Sequence, residues 1–414
     1  MKNICVFGLG YIGLPTAAMF AHHGANVVGV DVNQHAVDTI NQGKIHIVEP
    51  GLETIVKKAV DNGNLKANLT PVHSDAYLIA VPTPFKGEDH TPDLSYIQAV
   101  SQALAPLLEK GDIVILESTS PVGATEQMVA WLAEARPDLT FPKYHEPDVE
   151  ADIYVAYCPE RVLPGKVVEE LISNDRIIGG MTKESTKKAQ EVYRIFVEGE
   201  LLATNSRTAE MAKLTENASR DVSIAFANEL SIISDKLDIN VWELIELANH
   251  HPRVNILQPG AGVGGHCIAV DPWFIVNQNP DEAKIIRAAR EINDNKPNWV
   301  IKKINAEVDG LKTQGIEKPI VALLGLAFKP NIDDLRESPA VYIAREMLDI
   351  DSAEVLLVEP NIDKLPKTLE SGKLTSLKEA METADIVAIL VGHAQFKHTD
   401  FNIDKAIIDA VGIV

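Results

Sequence analysis

The chain has 414 residues, of which 46% are hydrophobic and 23% charged, and at about 150 residues per domain this length predicts two or three domains. Its 38 Lys and Arg residues stand against 59 Asp and Glu residues, which gives a net charge of −21. We therefore expect no nucleic-acid or membrane partner, because both require a basic protein surface. Small anionic ligands remain compatible with this charge if the few cations are grouped.

Over about the first 200 residues, short β-branched runs alternate with segments of helical period. Strands are predicted at Ile4–Phe7, Val27–Val30, Tyr77–Val81, Asp112–Leu116, Ile153–Cys158 and Arg176–Gly179, and helices at Ile12–His23, Leu52–Asp61 and Leu94–Leu108. Strands that are apolar on both faces and separated by helices predict a doubly wound parallel sheet. The prediction is an α/β domain over residues 1–204.

After residue 205 the alternation of strands and helices gives way to long helical segments. From Ser206 to Asp238 the chain has no Gly or Pro and a helical period, which predicts a helix about 45 Å long. A glycine-rich loop at Pro259–His266 and a second helical stretch at Asp281–Val308 complete a central helical region over residues 205–310. Strands resume at Ile320–Gly325, Val355–Val358 and Ile386–Val391, which predicts a second doubly wound α/β domain over residues 311–414.

Two features bear on the location of the protein. The uncharged stretch 3–30 is interrupted by glycines and histidines, so neither a secretory signal nor a membrane span is expected. The three cysteines, Cys5, Cys158 and Cys267, form no disulfide framework, and an odd number suits a reducing compartment. We therefore expect a cytoplasmic protein.

The first chemical motif is GLGYIG at Gly8–Gly13, between a predicted strand and a predicted helix. Its glycines permit a tight turn, close approach of a pyrophosphate and close packing of the helix on the strand. Asp31 ends the next strand, where an acidic residue binds ribose hydroxyls and repels a 2′-phosphate. The motif predicts dinucleotide binding, with NAD favoured over NADP.

Two further loops follow predicted strands, at Val81–Pro84 and Glu117–Gly123. Ligands of open parallel sheets bind beyond the carboxyl ends of the strands, so Thr83 and Thr119 are placed to contact cofactor or substrate. The alternative, that these Pro and Thr residues only shape the loops, is equally compatible with the sequence.

On the long central helix, Lys213, Asn217 and Arg220 are spaced to share one face. Such a stripe is often only a solvated surface. Here the amide of Asn217 lies between two cations, on a helix that is predicted to lie between domains. These three residues are therefore candidates for a functional site.

Cys267 follows four glycines in a loop, where a core cysteine is unexpected, whereas Cys5 and Cys158 fall in or at the end of predicted core strands. Backbone N–H groups of a glycine-rich loop can stabilise a thiolate, and Asp271 lies four residues further on. A small residue filling a turn is the alternative. A nucleophilic thiol beside a nicotinamide implies that an alcohol is oxidised through an aldehyde to an acid, with two hydride transfers.

Several cations of this acidic chain lie in or beside the motif loops, which suits a diphosphate ligand. They are Arg161, Lys166, Arg220, Arg253, Lys329 and Arg336. Surface ion pairs are the alternative for any one of them. The sequence has no spacing typical of a metal site, so no metal is expected.

Seven segments together carry a resemblance to a known family. They are GLGYIG (Gly8–Gly13), VPTP (Val81–Pro84), ESTSPVG (Glu117–Gly123), CPERVLPG (Cys158–Gly165), AEMAKLTEN (Ala209–Asn217), GGHCIAVDPW (Gly264–Trp273) and GLAFKPNIDDLRESP (Gly325–Pro339). In this order they resemble the UDP-sugar and GDP-sugar 6-dehydrogenase family nearly end to end. The segments ERVLPG, HPRVNILQPG and FKPNIDDLRESP are most similar to members that act on UDP-N-acetyl-D-mannosamine.

The resemblance implies a role for each matching residue. Catalysis would involve Cys267 as the nucleophile, Lys213 at the reacting oxygen with Asn217 and Asp271 beside it, and Glu160 and Thr119 for the proton or the hydrolytic water. The NAD contacts would be Gly8, Gly10, Tyr11, Ile12, Gly13, Asp31, Thr83, Thr119 and Arg336. The UDP-sugar contacts would be Arg161, Val162, Lys213, Asn217, Arg220, His251, Arg253, Gly264, Phe328 and Lys329. A lysine that the family often has between the cysteine and the following aspartate is absent here, where Ile268, Ala269 and Val270 stand.

The function implied is an NAD-dependent, four-electron oxidation of the C6 alcohol of UDP-N-acetyl-D-mannosamine to the carboxylate, by a homodimer in which Arg253 reaches the partner's site. UDP-N-acetylglucosamine and UDP-glucose remain alternative substrates. A two-electron hydroxyacid dehydrogenase, which needs no thiol, and a non-catalytic sensor of NAD or nucleotide sugars remain alternative functions.

Overall fold

A computed structural model of the chain describes residues 3–87, 89–146, 150–163, 165–265, 267–401 and 405–414. His266, the last residue of the predicted glycine-rich loop, and Pro164, in the CPERVLPG segment, lie outside these ranges. The chain divides into two compact units, Met1–Thr215 and Glu216–Val414.

The first unit contains a large sheet, a small hairpin and the helices around them. Its strands are β1 (Asn3–Phe7), β2 (Asn26–Val30), β3 (Leu65–Asn68), β4 (Ala76–Ile79), β5 (Phe85–Lys86), β6 (Thr91–Pro92), β7 (Ile113–Leu116), β8 (Tyr154–Tyr157), β9 (Arg176–Gly180) and β10 (Leu201–Asn205). Its helices are α1 (Gly13–His22), α2 (Gln34–Asn41), α3 (Leu52–Asp61), α4 (Ser95–Leu104), α5 (Ala124–Ala135), α6 (Val167–Ser173) and α7 (Lys183–Tyr193).

The large sheet has the order β10-β9-β8-β7-β4-β1-β2-β3 among the described residues. The sequence predicts a wholly parallel sheet, and this is wrong at one pair, because β8 and β9 run antiparallel. Because β10 is parallel to β9, these two strands both run opposite to the other six. Antiparallel strands at the edge of an otherwise parallel sheet are a common variation. The reversal lets the connection 158–175 return to the same edge of the sheet and brings Arg176 next to Glu160, 2.7 Å away.

Alternation along the strands explains how this sheet is buried on both faces. Ile4 and Val6 of β1 belong to one apolar cluster and Cys5 and Phe7 to another. Because successive side chains of a strand point to opposite faces, the two clusters are the two sides of the sheet. The predicted core positions of Cys5 and Cys158 are confirmed, since both are fully buried.

The long helix α8 (Ser206–Lys236) begins in the first unit and ends in the second. The second unit continues with α9 (Val241–Asn249), α10 (Asp271–Gln278), α11 (Lys284–Thr313), α12 (Pro339–Leu348) and α13 (Leu377–Thr383), and with β11 (Ile320–Leu324), β12 (Glu354–Val358), β13 (Lys373–Leu374), β14 (Ile386–Ile389) and β15 (Ala406–Asp409). These strands form a parallel sheet in the order β13-β12-β11-β14-β15. None of the helices in the described ranges is long and apolar enough to cross a bilayer.

The predicted fold class, α/β with two doubly wound sheets and a long central helix, is confirmed. In each sheet the order of the central strands reverses beside the first strand of the unit, between β1 and β4 and between β11 and β14. Such reversal points create the crevice where ligands of these folds bind, beyond the carboxyl ends of the strands.

Candidate active site

The turn after β1 is held by close backbone contacts. Gly8 has φ +84° and its N–H donates to the carbonyl of Val30 at 2.8 Å. A β-carbon on Gly8 would lie 2.6 Å from the carbonyl oxygen of Ala80, and one on Gly13 only 1.8 Å from that of Gly8. These two glycines are therefore required by the packing of the turn itself.

Gly10 stands in the same turn for a different reason. A β-carbon there would meet no atom within 4 Å among the described residues, and Gly10 and Tyr11 are exposed while Ile12 is half-buried. The space in front of Gly10, at the N-terminal end of α1, is where a pyrophosphate can approach the backbone. The residues present therefore fit a dinucleotide.

Asp31 directly follows β2 and braces this turn. One carboxylate oxygen accepts from the N–H of Leu9 at 2.8 Å and the other from the N–H of Asn33 at 2.8 Å. The carboxylate is thus fixed at the edge of the sheet beside the glycine turn. Its remaining lone pairs are free to accept hydrogen bonds from ribose hydroxyls.

The loops after β4 and β7 meet at this same edge. The hydroxyl of Thr83 donates to the carbonyl of Thr119, and the hydroxyl of Ser118 donates to that of Val81 at 2.7 Å. Both predicted threonines are therefore brought together next to the glycine turn. The shaping of loops by these hydroxyls is visible in the contacts, and ligand contact stays a prediction.

Glu210, on α8, holds the loop that carries Thr119. Its carboxylate accepts from the N–H of Gly123 at 2.7 Å and from the N–H and hydroxyl of Thr125 at 2.8 and 2.6 Å. Burial raises the pKa of Glu210, and these hydrogen bonds act in the opposite direction. The side chain caps the N-terminus of α5, where a helix favours a negative charge.

Glu160 belongs to a buried cluster of polar side chains with Arg176, Glu117 and Tyr193. The Glu160 carboxylate pairs with Arg176 at 2.7 Å, with side-chain exposures of only 7% and 4%. The hydroxyl of Tyr193 donates to Glu117 at 2.6 Å, and burial raises the pKa of Glu117 to about 7, although Arg176 opposes this rise. The ion pair with Arg176 thus fixes the carboxylate of Glu160 at the carboxyl edge of the sheet.

The segment after Glu160 carries two predicted substrate contacts. Arg161 and Val162 are half-buried, and the guanidinium of Arg161 donates to the carbonyl of Asp175 at 3.2 Å. Glu49 accepts from the N–H groups of Gly165 and Val167, each at 2.9 Å, and so holds this segment against the unit.

In the second unit, three of the predicted catalytic residues are linked. The side-chain amide of Asn217, on α8, donates to the carboxylate of Asp271, the first residue of α10. The carbonyl of Cys267 accepts from the N–H of Asp271 at 2.9 Å, so the cysteine starts the turn that leads into this helix. Asp271 therefore contacts both Asn217, through its side chain, and Cys267, through the backbone.

Three of the four glycines before Cys267 lie in close contact with neighbouring residues. A β-carbon on Gly262 would lie 2.9 Å from Pro339, and one on Gly264 would lie 2.4 Å from the carbonyl oxygen of Glu337. Gly265 has φ +88° and faces the ring of Phe328. Predicted substrate contacts Gly264 and Phe328 are thus brought into contact with each other.

Both ends of the cysteine loop are held by buried polar groups of α8 and α11. The side chain of Asn228 accepts from the N–H of Gly260 at 2.9 Å, and Arg290 contacts the carbonyl of Ile268 at 3.4 Å. Arg290 is itself fully buried and pairs with Asp221 at 2.5 Å.

The three thiols differ in accessibility. Burial raises the pKa of Cys5 and of Cys158 to about 12 each, so neither forms a thiolate at neutral pH. Cys267 is exposed. Of the three cysteines, Cys267 is the one that a substrate can reach.

The other predicted residues differ in their exposure. Lys213 lies one turn before Asn217 on α8 and is half-buried, and Lys329 follows Phe328 and is half-buried. Arg220, His251 and Arg253 are exposed. Arg336, the predicted pyrophosphate contact, forms a two-bond ion pair with Asp334 at 2.8 and 2.6 Å.

Three consecutive family models match this chain. Residues 2–197 match the NAD binding domain of the UDP-glucose/GDP-mannose dehydrogenase family, residues 207–295 its central domain and residues 322–414 its UDP binding domain. The chain belongs to the UDP-glucose/GDP-mannose dehydrogenase family. It is an NAD-dependent oxidoreductase, and NAD is its cofactor.

Relatives within the family are similar over nearly the whole chain. The chain is 60% identical to the UDP-N-acetyl-D-mannosamine dehydrogenase of Escherichia coli (strain K12), over 99% of both chains. It is 56% identical to the NDP-N-acetyl-D-galactosaminuronic acid dehydrogenase of Ralstonia solanacearum, over 100% of this chain and 96% of that one. The structure of the UDP-D-ManNAc dehydrogenase of Pyrococcus horikoshii superposes with a TM-score of 0.88 at 38% identity, covering 100% of this chain and 96% of that chain.

Several residues that shape the site are missed by the sequence reasoning. They are Glu49, Glu117, Arg176, Tyr193, Glu210, Glu359 and His393. For two of them a signal exists: Glu117 and Glu359 each directly follow a run of apolar strand residues, as Asp31 does. The partners Arg176 and Tyr193 come from elements distant in the sequence, and no local pattern predicts them.

Proposed function

We propose that the enzyme oxidises the C6 alcohol of UDP-N-acetyl-D-mannosamine to the carboxylate, using two NAD and one water per sugar. The 60% identity to the Escherichia coli enzyme over 99% of both chains carries the choice of this substrate. The exposed thiol of Cys267, whose backbone carbonyl accepts from the N–H of Asp271, supports the four-electron chemistry.

The thiol accounts for the second oxidation. The Cys267 sulfur adds to the C6 aldehyde and forms a thiohemiacetal, whose C6 then loses a hydride to become a thioester. Water attacks the thioester carbon, the C–S bond breaks, and the carboxylate and the thiol are released. Bound NAD supplies the hydride acceptor for each of the two oxidations.

The remaining catalytic roles follow the chemistry of each side chain. Lys213 supplies positive charge to the oxygen on C6, while Asn217 and Asp271 orient the groups around it. Glu160 and Thr119 handle the proton or the hydrolytic water. The ion pair with Arg176 supports a positioning role for Glu160, because it fixes the carboxylate in one direction.

The proposed binding residues form two sets, one for NAD and one for the UDP-sugar. The turn residues Gly8, Gly10, Tyr11, Ile12 and Gly13 would hold NAD together with Asp31, Thr83, Thr119 and Arg336. Contacts to the UDP-sugar come from Arg161, Val162, Lys213, Asn217, Arg220, His251, Arg253, Gly264, Phe328 and Lys329. In functional terms, residues 1–204 bind NAD, residues 205–310 carry the cysteine loop and the dimer contacts, and residues 311–414 bind the nucleotide.

We also propose a homodimer in the cytoplasm. Apolar side chains of α8, α9 and the segment between them are exposed in the second unit, namely Phe226, Ile233, Leu237, Ile239 and Leu247. Several exposed large apolar side chains on consecutive elements are typical of a protein interface. Sedimentation equilibrium gives twice the chain mass of 45.1 kDa if the proposal holds, and Phe226→Glu shifts the protein toward the monomer.

Substitution of the thiol tests the mechanism. Cys267→Ser should form little or no acid, because a serine hydroxyl stays protonated at neutral pH and is a poorer nucleophile than a thiolate, and an ester is hydrolysed more slowly than a thioester. The matched control is Cys158→Ala, which removes a buried thiol and should keep the stoichiometry of the wild type. Acid production by Cys267→Ser at the wild-type rate would contradict the mechanism.

A second substrate has support from the Ralstonia solanacearum relative, whose name specifies N-acetyl-D-galactosaminuronic acid. A UDP-N-acetylgalactosamine arm in the substrate panel distinguishes the two, since our proposal predicts a clear preference in kcat/KM for the mannosamine sugar.

A further inference from the structure

A buried acid and a buried histidine hold the loop that follows β11, and the proposed reaction uses neither. Glu359 directly follows β12. One oxygen of its carboxylate accepts from the N–H groups of Leu326 and Ala327 at 2.7 and 3.0 Å. The same oxygen lies 3.0 Å from Nε2 of His393, and both side chains have no exposed area.

The histidine also contacts the far end of the same loop. The N–H of Asn331 donates to Nδ1 of His393 at 2.9 Å. Because a backbone N–H can only donate, Nδ1 is the acceptor and Nε2 carries the proton toward Glu359. Asn331 has φ +63°, and its side chain accepts from the N–H of Ala394 at 2.8 Å. The loop 326–331 is therefore fixed at both ends.

Between these two fixed ends, Phe328 packs against the glycines that precede Cys267. A β-carbon on Gly264 would lie 3.0 Å from the β-carbon of Phe328, and one on Gly265 would lie 3.2 Å from its ring. Because interiors are close-packed, a shift of Phe328 must move the cysteine loop or open a gap beside it. Lys329, a proposed UDP-sugar contact, is the next residue.

We propose that Glu359 and His393 are positioning residues that place Phe328 against Gly264 and Gly265, and thereby place both the Cys267 thiol and the UDP-sugar contact at Lys329. This rests on the proposed function for the roles of Cys267 and Lys329. The loop 326–331 then positions both the nucleotide contact and the thiol. A change in this loop should therefore affect binding of the nucleotide and alignment of the thiol together.

The test compares three variants of the full-length enzyme. His393→Ala removes the contacts of the imidazole to Glu359, Asn331 and the side chain of Asn361. His393→Asn restores an oxygen near the position of Nδ1 that can accept from Asn331. The control Val387→Ala removes core volume from β14, in a buried apolar cluster whose described members include no residue of the loop 326–331. Each variant is measured for the rate of Cys267 alkylation by iodoacetamide, followed by mass spectrometry, and for the KM values of UDP-N-acetyl-D-mannosamine and of NAD.

We expect His393→Ala to change the alkylation rate at least about threefold and to raise the KM of the UDP-sugar about fivefold, with the KM of NAD unchanged. His393→Asn should recover part of both effects, and Val387→Ala should show neither. If His393→Ala does not fold, Glu359→Gln serves the same test, because its amide nitrogen cannot accept from the N–H donors around it.

The inference is overturned if the His393 or Glu359 variants alter alkylation and KM no more than Val387→Ala does. Its failure is distinct from failure of the proposed function. An enzyme that oxidises no UDP-sugar removes the function, whereas alkylation needs no turnover and still reports the placement of Cys267.

Discussion

Gly10 and Gly13 belong to one turn but are constrained by different partners. A methyl group on Gly13 would collide with the carbonyl oxygen of Gly8, whereas one on Gly10 would meet no described atom within 4 Å. Gly10→Ala should therefore keep the stability of the wild type and raise the KM of NAD about tenfold or more, because the methyl group occupies the approach to the pyrophosphate.

Gly13→Ala is the matched comparison. It should lower the urea midpoint of the protein, since the turn must open to accept the methyl group. Thermal or urea unfolding and NAD kinetics on both variants separate the two roles. A stable Gly10→Ala protein with the KM of the wild type for NAD would show that the cofactor does not approach this turn.

The pKa of Glu117 carries a prediction about stability. Burial raises this pKa from 4.5 in the unfolded chain to about 7 in the folded protein. The folded state therefore holds the proton more tightly, so the free energy of unfolding falls as the pH rises from 4.5 to about 7. The full difference is about 3 kcal/mol.

Glu117→Gln removes this titration and keeps an oxygen that can accept from Tyr193. Its stability relative to the wild type should therefore improve between pH 5 and pH 8, by up to about 3 kcal/mol in urea unfolding. Glu169→Gln, at an exposed carboxylate of α6, should show no such trend. A constant difference between Glu117→Gln and the wild type across this range would contradict the assigned pKa.

At the scale of elements, α8 and α11 are joined by polar groups that are removed from water. Arg290 is fully buried and pairs with Asp221, whose oxygen also accepts from the side chain of Asn293 at 2.8 Å. Burial raises the pKa of Asp221, and Arg290 opposes this rise. Removal of the cation leaves a buried carboxylate with its principal charge partner gone.

Arg290→Met should therefore destabilise the protein by about 3–5 kcal/mol, because an unpaired buried charge costs more than a lost surface contact. Urea unfolding measures the loss, and hydrogen exchange of the α8 and α11 amides locates it. The exposed pair Lys378–Glu382 provides the control, since Lys378→Ala should change little. A loss of less than about 1 kcal/mol for Arg290→Met would mean that solvent reaches Asp221.

The positions of helices and strands were largely predictable from the sequence, whereas the directions in which the strands pair were less predictable. Apolar runs and helical periods locate β1, β2, β7 and the long helix α8 within a few residues. The antiparallel pairing of β8 with β9 was not predicted, because strand direction depends on how the connection folds back and not on the composition of either strand.

At the scale of the whole molecule, the two sheets repeat one arrangement. Gly8 and Gly325 each follow the first strand of their sheet, and each N–H donates at 2.8 Å to the last residue of the neighbouring strand. The acid after that neighbouring strand, Asp31 in one sheet and Glu359 in the other, accepts from the N–H that follows the glycine. The same arrangement of a glycine and an acid thus supports the glycine turn after β1 and the loop that carries Lys329.

The candidate site was predictable where chemistry lies in short segments. Position and spacing indicate the glycine turn, Asp31 and Cys267 as candidates, and the resemblance to the family implies that Asn217 and Asp271 assist Lys213. The supports of these residues come from distant segments, as with Glu210 beneath the Thr119 loop and Phe328 against Gly265. Such contacts depend on tertiary packing, which the sequence pattern does not encode locally.

The most direct test of the account is the number of NADH formed per UDP-N-acetyl-D-mannosamine consumed. Reduced cofactor is followed by absorbance, and sugar and acid are separated by chromatography. The account predicts two NADH and one carboxylate per sugar, with UDP-N-acetylglucosamine and UDP-glucose used much more slowly. One NADH per sugar, with an aldehyde or ketone as the product, would contradict it, because Cys267 would then have no step to perform.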